Sequence, residues 1–232
     1  MRYRLAVEDM EPEHWIAWAL DVPGCFGSAR TQEEAVANAP ARIAEHFTWL
    51  TKHGRPASAP DSIETAVAEV FHSFPSKEDP EYMVSAFFGD DRRPLTADDV
   101  DYGLWLLDCT RRDLMDAVTA LPPDQLDRPA VAPKEFETVP GILNHIAIAE
   151  WWYFDRLDMA LVSNWRQLPA DPLTKLEQVR THSRACLPKL ISDTQIVTLV
   201  DEAWSARKVL RRTLWHERDH TQQIAKLTHD SS

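Results

Sequence analysis

Apolar residues follow two rhythms along this chain, and the change falls between residues 75 and 95. Near the start Tyr3, Leu5 and Val7 alternate with largely polar neighbours, and residues 14–21 place Trp15, Ile16, Trp18 and Leu20 in a short β-prone run. Pro23 and Gly24 mark a turn, and Thr31-Gln32-Glu33-Glu34 has the form of a capping box, so a helix is predicted from there to about residue 53. Gly54 is placed to end that helix and Pro56 to keep it ended. Pro40 falls inside it, where an interior proline costs about 3 kcal/mol, which predicts a kink or a break. Residues 63–71, with Ile63, Thr65, Val67, Glu69 and Phe71 to one side, complete the expectation of a small α+β unit.

From residue 95 the spacing becomes helical. Four segments stand out, 96–121, 138–161, 172–190 and 201–228, with lengths that suit an all-α four-helix bundle. Prolines 122, 123, 169 and 188 fall at the breaks, and Pro129, Pro133 and Pro140 crowd the connection before the second helix, predicting an extended crossing loop. Thr138 is a competent N-cap for that helix, and Pro140 sits in its first turn, where a missing N–H has no helical partner to lose. The first helix offers Tyr102, Trp105, Leu106, Cys109 and Leu114 for packing. The last carries Val209, Thr213, His216, His220 and Leu227 on one stripe, the pattern of a bundle helix facing its core. The predicted organisation is an α+β domain over 1–75, a linker over 76–94 and a four-helix bundle over 95–232.

Composition narrows the classes of partner. With 25 basic and 37 acidic residues the net charge is −12, which repels phosphate backbones, so nucleic acid is not an expected partner. The densest basic run, Arg207-Lys208 and Arg211-Arg212, is read as a solvated face opposite the histidines, and Asp201 and Glu202 as acidic residues suited to the start of the last helix. No apolar run approaches the roughly 20 residues of a membrane span, and residues 1–8 lack an apolar stretch of signal-peptide length. Cys25, Cys109 and Cys186 are widely separated and odd in number, which predicts reduced thiols in the cytoplasm, with Cys109 a small apolar filler.

The chemistry concentrates in His216-Glu217-Arg218-Asp219-His220, which satisfies the H-E-x-x-H pattern of zinc metalloproteases. Such a site needs a third protein ligand, and the twelve residues after His220 offer neither a Glu nor a third His outside the polar tail that holds His229. His145, which shares a helix face with Ile142, Ala149 and Trp152, is the upstream candidate. Three inward imidazoles on one cavity would hold Zn²⁺ or a similar cation in place of the hydrogen bonds lost on burial. Glu217, one residue along from His216, turns about 100° away from such a centre and is not the expected base; Glu150 is read as an outer or surface carboxylate. His14, His46, His53, His72, His182 and His229 lack this setting and are read as surface or loop residues.

Two resemblances follow from these motifs. The tract Asp21-Val22-Pro23-Gly24-Cys25-Phe26, then Thr31-Gln32-Glu33-Glu34-Ala35, Asn38-Ala39 and Gly54-Arg55-Pro56 with Pro60, resembles the HicB-like antitoxin domain over residues 1–72. That resemblance implies a small sheet with one helix and a protein partner; the family's DNA-binding tail has no counterpart here, and Pro40 departs from the usual helix. Asn144-His145-Ile146-Ala147 with Glu150-Trp151, followed by Trp215 to Gln223 and Ile224, resembles the DinB-like (YfiT-like) family over residues 95–230. This second resemblance implies a divalent metal, Zn or Ni, on His145, His216 and His220, with homodimerisation and an open position that activates water or a low-molecular-weight thiol. It points to a hydrolase or thiol transferase. A non-catalytic, metal-stabilised protein-binding module related to toxin–antitoxin systems and a zincin-type metalloprotease stand as the alternatives.

Overall fold

The computed structural model describes residues 1–56, 59–122 and 138–229, with side chains described as far as residue 226. The chain divides into two compact units, residues 1–93 with 196–204, and residues 94–195 with the remainder from 205.

In the first unit β1 (Arg2–Glu11), β2 (His14–Ala19), β3 (Phe26–Ala29) and, after helix α1 (Gln32–Lys52), β4 (Glu64–His72) form one sheet in the order β3-β2-β1-β4. β1 and β2 pair antiparallel, β1 and β4 parallel. Tyr3, Leu5 and Val7 pack with Ala35, Ala39 and Ile43 of α1, as their alternation predicts. Ala6 and Glu8, on the opposite face of the strand, are also fully buried, because β1 is a central strand covered on both faces. Thr31 caps α1 by accepting from the Glu34 N–H at 3.2 Å. The helix runs through Pro40 without a break. One missing backbone bond at a half-buried position is outweighed by the apolar stripe of Ala35, Ala39, Ile43 and Leu50.

Three expectations for this unit are corrected. Residues 63–71 do not keep one face: the register shifts between the pairs Leu5–Val67 and Ala6–Glu69, so Ala68 is an extra residue and Glu69 and Phe71 move to the opposite side. Residues 76–93, read as linker, fold with the first unit, burying Ser76, Val84, Ser85, Ala86, Phe88 and Asp91. Asp201 and Glu202 do not open the last helix. They belong to a two-stranded hairpin, β5 (Val197–Leu199) with β6 (Glu202–Trp204), where buried Glu202 accepts hydrogen bonds from Tyr82 and Ser85. Two further pairs of residues, Phe74–Pro75 and Met83–Val84, form a short ribbon before this point in the chain.

The second unit holds α2 (Ala97–Thr119), α3 (Val139–Asp155), α4 (Pro172–Cys186) and α5 (Ala206–His229). Thr96, Thr138 and Asp171 cap the first three through their side chains. Leu114, Val118, Ile142, Ile146, Leu176 and Ile224 form a core to which all four helices contribute. α3 ends earlier than its apolar pattern suggests, because Asp158 takes a left-handed conformation (φ 56°) and the Met159 N–H returns to the Phe154 carbonyl at 3.0 Å. The expected loop at Pro129 and Pro133, the side chain of Leu227 and that of His229 lie outside the described residues.

Helix directions follow from which side chains meet. Arg207 at the start of α5 bonds Asp99 at the start of α2, and Thr110 further along α2 bonds Glu217 further along α5, so these two run parallel. Lys175 and Arg180 of α4 meet Asn144 and Glu150 of α3 in the same order, so α3 and α4 are parallel as well. Arg180 reaches the Leu107 carbonyl and Arg111 the Leu176 carbonyl, which sets α2 against α4. The bundle is therefore up, down, down, up, and the chain between residues 156 and 171 must carry α3 back to the start of α4. Trp151 pins that return by donating its indole N–H to the Val162 carbonyl at 3.0 Å.

Candidate metal centre

Two helices deliver three imidazoles to one point. α3 presents His145 and α5 presents His216 and His220, one turn apart on the face turned toward α3. His216 is 7% exposed; His145 and His220 are half-buried. The His216 Nε2 lies 2.9 Å from the His145 Nε2 and 3.2 Å from the His220 Nε2, and all three donor atoms fall within 4.8 Å of one another. Three rings facing one another through the same nitrogen are a poor hydrogen-bonded set, since a bond between two neutral Nε2 atoms uses one proton and one lone pair. They are a good donor set for a small cation: nitrogens at tetrahedral positions about 2.0 Å from Zn²⁺ stand roughly 3.3 Å apart.

The electrostatics favour the neutral form, the one that ligates, at His145 and His216. Burial, and then the neighbouring His220, draw the His145 pKa down to about 4. Burial lowers that of His216 well below its ordinary value, with His220, His145 and Arg212 adding to the shift. Tyr153 meets His216 edge-on at 6.0 Å, and the Arg212 guanidinium lies over Trp215, 4.4 Å from the ring centroid, so the wall on this side is aromatic. On the other side of His220, its Nδ1 lies 2.7 Å from the Gln223 Oε1.

Glu217 points elsewhere, as its position in the helical turn predicts. Its carboxylate is 1% exposed and accepts from Arg111 Nε at 2.6 Å, from Arg180 Nη2 at 2.8 Å and from the Thr110 hydroxyl. Arg180 also holds both oxygens of Glu150, at 2.8 and 2.9 Å. Glu150 is thus a buried partner of Arg180 rather than a surface group. Burial raises the Glu217 pKa, but Arg180 and Arg111 more than reverse this and keep it ionised. Two arginines and two glutamates from all four helices make a neutral buried layer beside the histidines.

Other sequence readings change here. The basic run is no solvated face: Lys208 and Arg212 are buried, and Arg207 is engaged with Asp99 and the Pro94 carbonyl. Among the remaining histidines His46 and His53 are buried against Trp49 instead of lying on the surface. Cys109 is buried, away from the histidine group, with its thiol pushed up by burial, as a filler would be. Sequence reasoning missed Gln223 as a partner of His220, although its place three residues later puts it on the same face.

The family profile of the DinB superfamily matches residues 106–224, just over half of the 232 residues. No curated protein matches the chain. Among solved structures it is similar to YfiT from Bacillus subtilis, described as a probable metal-dependent hydrolase with an unusual four-helix bundle topology. The identity is 19%, the likeness covers 60% of this chain and 91% of that one, and the TM-score is 0.44.

Proposed function

Starting from the fact that the chain belongs to the DinB superfamily, we propose that it is a metal-dependent enzyme whose divalent cation, Zn or Ni, is held by His145, His216 and His220. The observation that carries this reading is the convergence of three Nε2 atoms from α3 and α5 on one point. A divalent cation held by three protein ligands would lower the pKa of water or of a low-molecular-weight thiol at its open position. The chain's own part is to keep His145 and His216 neutral by burial, to hold the three Nε2 atoms together on α3 and α5, and to wall the site with Tyr153 and Trp215. The substrate class we favour is a small molecule, acted on by hydrolysis or by thiol transfer. Glu217 is not available as the base of a zincin, since Arg111, Arg180 and Thr110 occupy its carboxylate.

Elemental analysis of the purified protein tests this first. About one Zn or Ni per chain is expected. His145→Ala and His216→Ala should each lose it. A native protein that takes up no metal even after reconstitution would overturn the reading.

A second role, partner binding through a HicB-like first unit, is favoured by the open edge of its sheet. Among the described residues strand β4 pairs with β1 alone, and Val67 is 41% and Val70 39% exposed. A second copy of the chain, giving a homodimer, is one partner we envisage. Three buried free cysteines suit a cytoplasmic setting, and among the described residues no helix is long and apolar enough to cross a membrane.

A further inference from the structure

We propose that Gln223 is a positioning residue for the centre: it selects the tautomer of His220 and so decides whether that ring can ligate. The inference rests on the metal reading above for its consequence, and on the geometry for its cause. Gln223 follows His220 by one turn of α5, and its Oε1 lies 2.7 Å from the ring's Nδ1. An amide oxygen can only accept, so Nδ1 carries the hydrogen of that bond. A neutral imidazole has one N–H, and with the proton on Nδ1 the lone pair is on Nε2. Nε2 is the atom that faces the other two rings, 3.2 Å from the His216 Nε2.

A competing arrangement is built into the same geometry. Were the His220 proton on Nε2, it would be donated across that 3.2 Å to His216, tying up one donor nitrogen and using the lone pair of a second. The bond to Gln223 works against this closed, hydrogen-bonded form and for the open set of lone pairs. Ligating histidines are commonly held in this way by an acceptor at the far nitrogen, and loss of such a partner typically costs 10–100-fold in metal affinity. Here the acceptor comes from the same helix as the ligand, so the α5 backbone fixes both together.

The test uses the full-length chain labelled with ¹⁵N-histidine, metal-free and at a pH where the rings are neutral, together with zinc affinity by chelator competition. In the native protein His220 should carry its proton on Nδ1. Gln223→Leu, which keeps the bulk and removes the acceptor, should move the proton toward Nε2 and weaken zinc binding about 10–100-fold. Gln223→Glu, which restores an acceptor oxygen, should retain the native tautomer and bind zinc more tightly than the leucine variant, about as tightly as the native chain or better. An Nε2 proton on native His220, or a Gln223→Leu protein with tautomer and zinc affinity unchanged whatever its melting temperature, would overturn the proposal. Failure of the native chain to bind zinc would instead strike the metal reading, while the ¹⁵N spectrum still reports which nitrogen carries the proton.

Discussion

His216 and Glu217 are adjacent in sequence and serve opposite ends of the chemistry. One joins a cluster of imidazoles, the other a buried cluster of full charges. A glutamine at position 217 would keep the shape but leave Arg111 and Arg180 with Glu150 as the one carboxylate of the layer. Removing one partner of a buried ionic set typically costs about 3–5 kcal/mol, so Glu217→Gln should lower unfolding stability by roughly that amount in urea titration. Zinc uptake by the folded variant should persist; its complete loss would mean that Glu217 supports the metal directly. The three histidines were legible in the sequence because two stand one turn apart and the third lies on an apolar face. Arg180, Arg111, Lys208 and Arg212 were not, since a periodicity argument assigns charged residues to solvent and cannot see a partner on another helix.

At the level of elements, caps were the most readable feature. Thr31 and Thr138, expected as caps, stand where their side chains accept from the first turn of a helix, and Thr96, for which no cap was expected, does the same. Thr96 shares a reciprocal box with Asp99, and Asp99 also accepts from Arg207 Nη2 at 2.7 Å, tying the starts of α2 and α5. Burial alone would raise its pKa, but Arg207 and Thr96 outweigh this and lower it from 3.8 to about 2. A carboxyl depressed in the folded state lends stability above its unfolded pKa and loses it on acidification. Stability should therefore fall between about pH 4 and pH 2, and Asp99→Asn should flatten this part of the profile followed by circular dichroism. Less readable was the β5–β6 hairpin, whose register leaves a two-residue turn at Val200 and Asp201, with φ of 53° and 62°. Such turns favour Asn-Gly or Asp-Gly, and a valine there gives no signal of one. The Asp201 carboxylate, accepting from the Ser76 hydroxyl at 3.0 Å and the Lys77 N–H at 2.6 Å, holds the turn from outside. The bulge at Ala68 escaped for a similar reason: no Gly or other residue marks an extra position there, so odd-numbered residues were read as one face through Glu69 and Phe71.

For the whole molecule, the bundle half was recognisable from residues spread over its second and fourth helices, and the DinB superfamily match covers the same region. Helix directions were beyond reach, because helix lengths are the same for any order of up and down; cross-helix partners such as Arg207 with Asp99 and Arg180 with Glu150 decide them. The placing of residues 196–204 in the first unit has a consequence for how the protein is made. Synthesis proceeds from the N-terminus, and domains commonly fold as they emerge. Here the earlier-made unit is a closed circuit of the chain only after residue 204 has left the ribosome, by which time three of the four bundle helices are already out. Until then Tyr82 and Ser85 wait for Glu202, and Ser76 for Asp201. A nascent or truncated chain ending at residue 93 should accordingly be cut by protease faster than the full-length protein within 1–93. Equal resistance would show that the early residues are complete without their late-arriving hairpin.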